Sequence, residues 1–350
     1  MKIAIVGGGI FGVTAALKLA QAGFVVELFE RYDDILRAAS GINQYRLHRG
    51  YHYPRSPETI VSSMQAEVLF RQEFGEAIVD DNEHYYCIAK EKSFVSGEQF
   101  LNSCRAHGLE FELVTLSLLN QEAIELCIRA QETIFDANRL REICRERLLA
   151  SAVKLHLNKE VTEVDLDDYD QVVVCAYAGT NALFNRRPEL QHDYQFELCE
   201  KPLISLPENF RGKSVVVMDG PFTCIDPYGR SDSHVIGNVV HAIHATNVGR
   251  YPIIPNQFEP LLNRGVINNP AITNFPLFIE SAKHFMPEIV KAKHLGSMFT
   301  VRTVLPNLEK TDARPTLVEA IDERTIKVFS GKIGNAVIAA QEVLGLITGL

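Results

Sequence analysis

Residues 2–12 read Lys2-Ile3-Ala4-Ile5-Val6-Gly7-Gly8-Gly9-Ile10-Phe11-Gly12, and this stretch decides the fold. Lys2 to Val6 is mostly apolar and ends in β-branched types, as a buried strand does. Val13 to Ala22 is rich in Ala and Leu and reads as a helix that Gly23 stops. A second strand follows at Phe24 to Phe29, with Glu30 at its end, eighteen residues past Gly12. Strand, GxGxxG, helix, strand and acid in this order make a dinucleotide-binding unit. Gly7 permits the tight turn, Gly9 lets backbone approach a pyrophosphate, and Gly12 lets helix and strand pack closely. The helix start at Ile10 and Phe11 offers free N–H groups and a partial positive charge to phosphate. Glu30, with Arg31 beside it, is placed to accept hydrogen bonds from an adenosine ribose. Both FAD and NAD carry that ribose, so the unit alone does not choose between them.

The rest of the chain is ordinary in composition and large in size. Its 350 residues exceed what a single core usually covers, so two lobes are expected. A formal net charge of −9 argues against nucleic acid as a partner, because phosphate contacts need clustered cations. No run approaches the eighteen apolar residues of a transmembrane helix. The apolar start runs straight into the glycine motif, which argues against a cleaved leader. Seven scattered cysteines without a CxxC pair argue against a disulfide framework or a zinc site, and fit the reducing cytoplasm. His241 and His244 in HAIH are read as incidental, and no metal is assigned.

Two later segments repeat the strand–glycine theme. YDQVVVC, Tyr169 to Cys175, leads into Ala176-Tyr177-Ala178-Gly179. Thr325 to Phe329 leads into Ser330-Gly331-Lys332-Ile333-Gly334-Asn335 and then a helix, AVIAAQEVLGLI. A long cofactor needs contacts from several parts of a chain, so these junctions favour FAD. Between them, Tyr45 to Arg55 (YRLHRGYHYPR) concentrates positive charge and aromatic rings in an acidic protein. The bland reading is a solvated turn; the functional one makes His48 a base, with His52 as runner-up, since His titrates near neutrality.

On these residues the chain resembles the FAD-dependent oxidoreductases of the D-amino-acid oxidase type. That family includes glycine oxidase, sarcosine oxidase and the L-2-hydroxyglutarate oxidising enzymes. Ala39-Ser40-Gly41-Ile42-Asn43-Gln44 looks like the family's flavin-contacting loop, which implies roles for Ser40, Gly41 and Asn43. Glu132-Thr133-Ile134-Phe135-Asp136 is similar to its junction into a helix, and Val161 falls where the family contacts adenine. VVVCAYAGTN resembles a strand and loop that bring Ala178 and Gly179 to the cofactor. SGKIGN resembles the loop beside the flavin pyrimidine, with Lys332 where the family carries His or Phe. No cysteine near the C-terminus matches the tether of sarcosine oxidase, so the FAD is expected to be non-covalent.

The resemblance implies an α/β fold: a Rossmann-type FAD-binding domain with an inserted, mainly antiparallel α+β substrate domain. Residues 1–76, 130–190 and 300–350 are expected in the first, and 77–129 and 191–299 in the second. It also implies oxidation of a small polar, carboxylate-bearing amine or 2-hydroxy acid by hydride transfer to flavin N5. Arg302 stands where the family carries an arginine for the substrate carboxylate, with a long-range structural ion pair as the other reading, and Arg46 and Tyr53 are further substrate candidates. Arg314 is a rival, but Asp312 beside it suggests a local ion pair. The acceptor that reoxidises the flavin, oxygen or another, stays open. Three other readings stay open: a nicotinamide-dependent dehydrogenase, a flavoenzyme for a nucleotide sugar or amino sugar, and a non-catalytic flavin-binding protein.

Overall fold

The computed structural model describes residues 1–220, 222–306 and 314–349. Lys2–Val6 forms the middle of a six-stranded sheet in the order Leu317–Ala320, Thr325–Phe329, Gln171–Val174, Lys2–Val6, Val25–Phe29 and Lys154–His156. Every neighbouring pair is parallel except Leu317–Ala320 on Thr325–Phe329. Parallel strands need cover on both faces, which is why these runs are apolar throughout. Ile3 and Ile5 pack into one core with the helices Ile10–Gln21, Ala137–Ala150 and Ala336–Thr348. Ala4 and Val6 face the other way, with Phe29, Tyr169 and Phe184. From Lys2–Val6 the chain turns to Val25–Phe29 on one side and has Gln171–Val174 on the other. The carboxyl end of Lys2–Val6 is therefore a topological switch point, where open α/β sheets bind ligands.

A second sheet of nine strands carries the other lobe. Its long pair is Tyr194–Ser205 antiparallel to Lys293–Val304, in register from Gln195 opposite Val304 to Leu203 opposite Gly296, with a bulge before Ile204 opposite His294. The sheet is mostly antiparallel, as expected of β-like runs without glycine–helix junctions, but Lys213–Met218 lies parallel to Glu83–Ala89. Both of those strands are buried almost end to end, the condition a parallel pair requires. Lys293–Val304 runs straight through the boundary expected between 299 and 300, so Arg302 belongs to this second sheet. The β-like segment 154–164 is strand only at Lys154–His156; Thr162 and Asp165 then cap a short 3-10 turn at Glu163–Leu166.

A small ribbon joins the lobes. Arg46–Leu47 and Ile78–Val79 both pair antiparallel with Thr133–Phe135. Asp136 ends the ribbon and starts a helix, accepting from the N–H groups of Asn138 (2.9 Å) and Arg139 (3.1 Å). Among the described residues no helix is long and apolar enough to cross a membrane.

Candidate active site

A cavity of about 1020 Å³ opens between the two large sheets, at the upper end of the range for ligand pockets. One wall is the glycine loop. Gly7 has φ +107°, and a Cβ there would lie 2.5 Å from the Cys175 carbonyl oxygen. A Cβ on Gly12 would lie 1.9 Å from the Gly7 carbonyl oxygen, so Gly12 serves helix–strand packing and does not face the cavity. Gly9 lines the cavity, and a Cβ there would meet only Ser40 Oγ, at 3.2 Å. Ser40 Oγ also accepts from Ile10 N at 3.1 Å, so the flavin-like loop is fastened to the helix start. The Glu30 carboxylate accepts from Gly8 N at 2.7 Å and Tyr32 N at 2.9 Å, bracing the glycine loop itself. The bracing was not foreseen from sequence.

Most of the expected cofactor residues share this one cavity. Ile10, Phe11, Arg31, Asn43, Val161 and Gly179 line it, as does the whole turn Gly331, Lys332, Ile333, Gly334 and Asn335. Besides Gly12, two expected ones stand behind the wall. Gly41 is packed against the Leu36 carbonyl, and Ala178 is turned toward Tyr194 and Phe329. Tyr53 is also displaced from its expected role. Its ring is 1% exposed and lies beneath the Lys332 ammonium, 4.4 Å from it, so Lys332 and not Tyr53 meets the cavity.

The polar side of the cavity is built by the ribbon. Arg46 sits opposite Ile134 and Leu47 opposite Thr133, so the next step outward brings His48 to Glu132. His48 Nδ1 lies 2.9 Å from Glu132 Oε1, and Tyr86 donates to Glu132 Oε2 at 2.8 Å. Burial, then Lys332 and Arg46, push the His48 pKa well below its ordinary value, while burial raises that of Glu132. His48 is therefore neutral at neutral pH. Arg46, 6% exposed, lies 3.3 Å from Asp226, which also accepts from Ser214 (2.6 Å) and Gln44 (3.0 Å). Burial, and then Arg46, lower Lys332 to about 7.

Arg302 is held by an ion pair within the chain. It does line the cavity, but its Nε donates to Glu197 Oε2 at 2.5 Å and its Nη2 reaches the same oxygen. Glu197 faces Arg302 directly across the long strand pair. Part of the fork expected to be free for a substrate carboxylate is thus already paired, by an acid 105 positions away. Arg55, unassigned from sequence, reaches the cavity paired with Asp219 (2.5 Å). Arg314 also lines the cavity; its expected partner Asp312 lies outside the described residues. His244 Nε2 donates to the Glu200 carboxylate at 2.8 Å. No group of three metal-binding side chains is assembled among the described residues.

Over residues 2–303 the chain matches the DAO family, FAD dependent oxidoreductase, and it belongs to that family. It is 25% identical to the FAD-dependent monooxygenase kojA of Aspergillus flavus, over all of this chain and 86% of that protein. It is 23% identical to an FAD-dependent monooxygenase of Fusarium mangiferae, over 99% of this chain and 91% of that one. Among solved structures it superposes on glycine oxidase from Geobacillus kaustophilus with a TM-score of 0.76. The identity there is 16%, over 99% of this chain and 94% of the other. The FAD-bound L-alpha-glycerophosphate oxidase of Mycoplasma pneumoniae gives a TM-score of 0.70 at 13% identity, over 99% and 94%.

The cofactor is accordingly FAD, and the residues present fit it. The glycine loop leaves a cradle that a side chain on Gly9 would enter. Asn335 Oδ1 and Gln44 Oε1, on two cavity-lining side chains, are buried acceptors with no protein donor among the described residues. An acceptor of this kind suits the ring N–H of an isoalloxazine. The chain is an FAD-dependent oxidoreductase, which removes the nicotinamide and non-catalytic readings.

Proposed function

We propose that this oxidoreductase acts on a small polar substrate carrying a carboxylate, either an amine or a 2-hydroxy acid, with His48 as the base. Bound FAD supplies the hydride acceptor at N5. The observation that carries the reading is the state of His48. Its Nδ1 lies 2.9 Å from Glu132 Oε1, a close approach outside hydrogen-bond geometry, and the ring stands in the cavity wall. Glu132 favours the proton on Nδ1 and leaves Nε2 as a lone-pair acceptor, the arrangement that orients a catalytic imidazole. A proton from a substrate amine or hydroxyl then passes to Nε2, and the carboxylate of Glu132 steadies the imidazolium. The FAD-site residues act beside it: the helix start at Ile10 and the Glu30 brace hold the adenosine half, and the turn at Gly331 to Asn335 faces the flavin half. The FAD is held without a covalent link, so acid precipitation should release all of the yellow colour. Seven unpaired thiols among the described residues suit a reducing compartment such as the cytoplasm.

The test is anaerobic bleaching of the flavin by a panel of D- and L-amino acids, N-methyl amines and 2-hydroxy acids. A carboxylate-bearing substrate should reduce wild type, and His48→Asn should slow reduction by roughly a hundredfold or more. The acid limb of the wild-type profile should fall below the ordinary histidine range. Reduction of His48→Asn at the wild-type rate removes His48 from the chemistry. The two fungal relatives named as monooxygenases favour a second reading, insertion of oxygen into the product. Incorporation of label from ¹⁸O₂ decides between the two.

A further inference from the structure

The cations of the cavity wall fall into two groups. Arg46, Arg55 and Arg302 each have a carboxylate within 4 Å, in Asp226, Asp219 and Glu197. Among the described residues Lys201 has none and makes no hydrogen bond; Lys332 also lacks a carboxylate, but its ammonium lies over the Tyr53 ring. It sits on Tyr194–Ser205, on the face that also sends Glu197 and Cys199 into the cavity. It is opposite Met298, which supplies no charge. Burial, and then the nearby Arg302 and Arg46, disfavour its charged form. Lys201 is half-buried, and an ammonium partly withdrawn from water with no counter-ion beside it gains from an incoming anion. The glycine cradle and Ser40 lie on the other lobe, so the phosphates of FAD are provided for elsewhere.

We propose that Lys201 anchors the anionic group of the substrate, in place of the arginine that sequence resemblance points to. The proposal rests on the carboxylate reading of the substrate given above. A compact ammonium suits this task where the neighbouring guanidinium is already occupied, because it needs only one free carboxylate oxygen. Lys201 thus sets specificity for acids over their neutral analogues, while Arg302 with Glu197 keeps the wall rigid beside it.

The test uses the FAD-loaded enzyme, with propionate as the probe and propionamide as its uncharged match, each followed by equilibrium dialysis. Wild type should bind propionate in preference to propionamide. Lys201→Met should weaken propionate roughly ten- to hundredfold, the range for one charge-assisted contact, and leave propionamide unchanged. Lys201→Arg should restore most of the loss. The paired change Arg302→Met with Glu197→Gln should alter propionate binding by less than about threefold. Thermal unfolding without propionate separates a binding role from a structural one. Losing an unpaired cation should leave the melting temperature of Lys201→Met unchanged or higher, whereas losing a structural ion pair would lower it. Lys201→Gln carries the same test if the methionine variant does not fold. Undiminished propionate binding in Lys201→Met overturns the assignment, as does loss of binding in Lys332→Met with none in Lys201→Met. A wild-type enzyme that does not distinguish propionate from propionamide defeats the carboxylate reading itself.

Discussion

Glutamine at position 30 changes one oxygen for an NH2 group and almost nothing in shape. Glu30 accepts from two backbone donors, Gly8 N at 2.7 Å and Tyr32 N at 2.9 Å, and is 9% exposed. A carboxylate satisfies both; an amide has one oxygen and must turn its NH2 toward the second N–H. Each bond to a charged acceptor is worth roughly 1.5–3 kcal/mol, so Glu30→Gln should loosen the glycine loop by about that amount and Glu30→Ala by more. The local readout is hydrogen exchange of the peptide covering the glycine loop in the FAD-free protein. Its exchange should quicken by roughly ten- to 150-fold in Glu30→Gln, since 1.4 kcal/mol is tenfold. FAD affinity, followed by flavin fluorescence, should fall by roughly ten- to a hundredfold, because the same carboxylate is expected on the ribose. Unchanged exchange refutes the brace. Quickened exchange with unchanged FAD affinity leaves Glu30 a structural acid and refutes its ribose role.

The loop glycines should fail differently. Gly12→Ala places a Cβ 1.9 Å from the Gly7 carbonyl oxygen, so soluble protein should be lost or strongly destabilised, as circular dichroism and melting will show. At Gly9 an added Cβ meets only Ser40 Oγ, at 3.2 Å, so Gly9→Val should fold, give a normal far-ultraviolet spectrum, and purify colourless. Lys332 should reveal itself through pH. Its pKa is about 7 folded and 10.5 unfolded, so the unfolded chain binds more protons between those values. Folding of wild type relative to Lys332→Met should therefore strengthen as pH rises from about 7 to about 10.5, and the deficit should level off below 7. A difference between the two unfolding curves that does not vary with pH removes Lys332 from its buried place. Lys332→Met should also lower the flavin midpoint potential, measured by dye-linked reduction, because a cation in the wall favours an anionic reduced flavin.

Much of the FAD lobe was legible because its signals are local. A strand, a glycine turn and a helix within twenty residues place backbone N–H groups at a phosphate whatever the rest of the chain does. The turn at Gly331 to Asn335 was readable for the same reason. Gly41, Ala178 and Tyr53 went astray because proximity in sequence says which loop a residue occupies, not which side of it meets the cavity. The parallel pair of Lys213–Met218 with Glu83–Ala89 was missed because period and composition do not tell a strand its neighbour.

The sequence by itself determined a Rossmann-type unit, its GxGxxG loop and acid, a second β-rich lobe, and a family resemblance that names the cofactor. Tertiary structure decided the charge state of the site. Glu132 reaches His48 through a three-stranded ribbon, and Glu197 reaches Arg302 through strand register. The same register leaves Lys201 facing Met298, with no counter-ion among the described residues. Which cation is spent on a neighbour and which is left for a ligand depends on partners more than a hundred residues away. That pairing follows from burial and strand alignment, and neither is written in the spacing of the residues concerned.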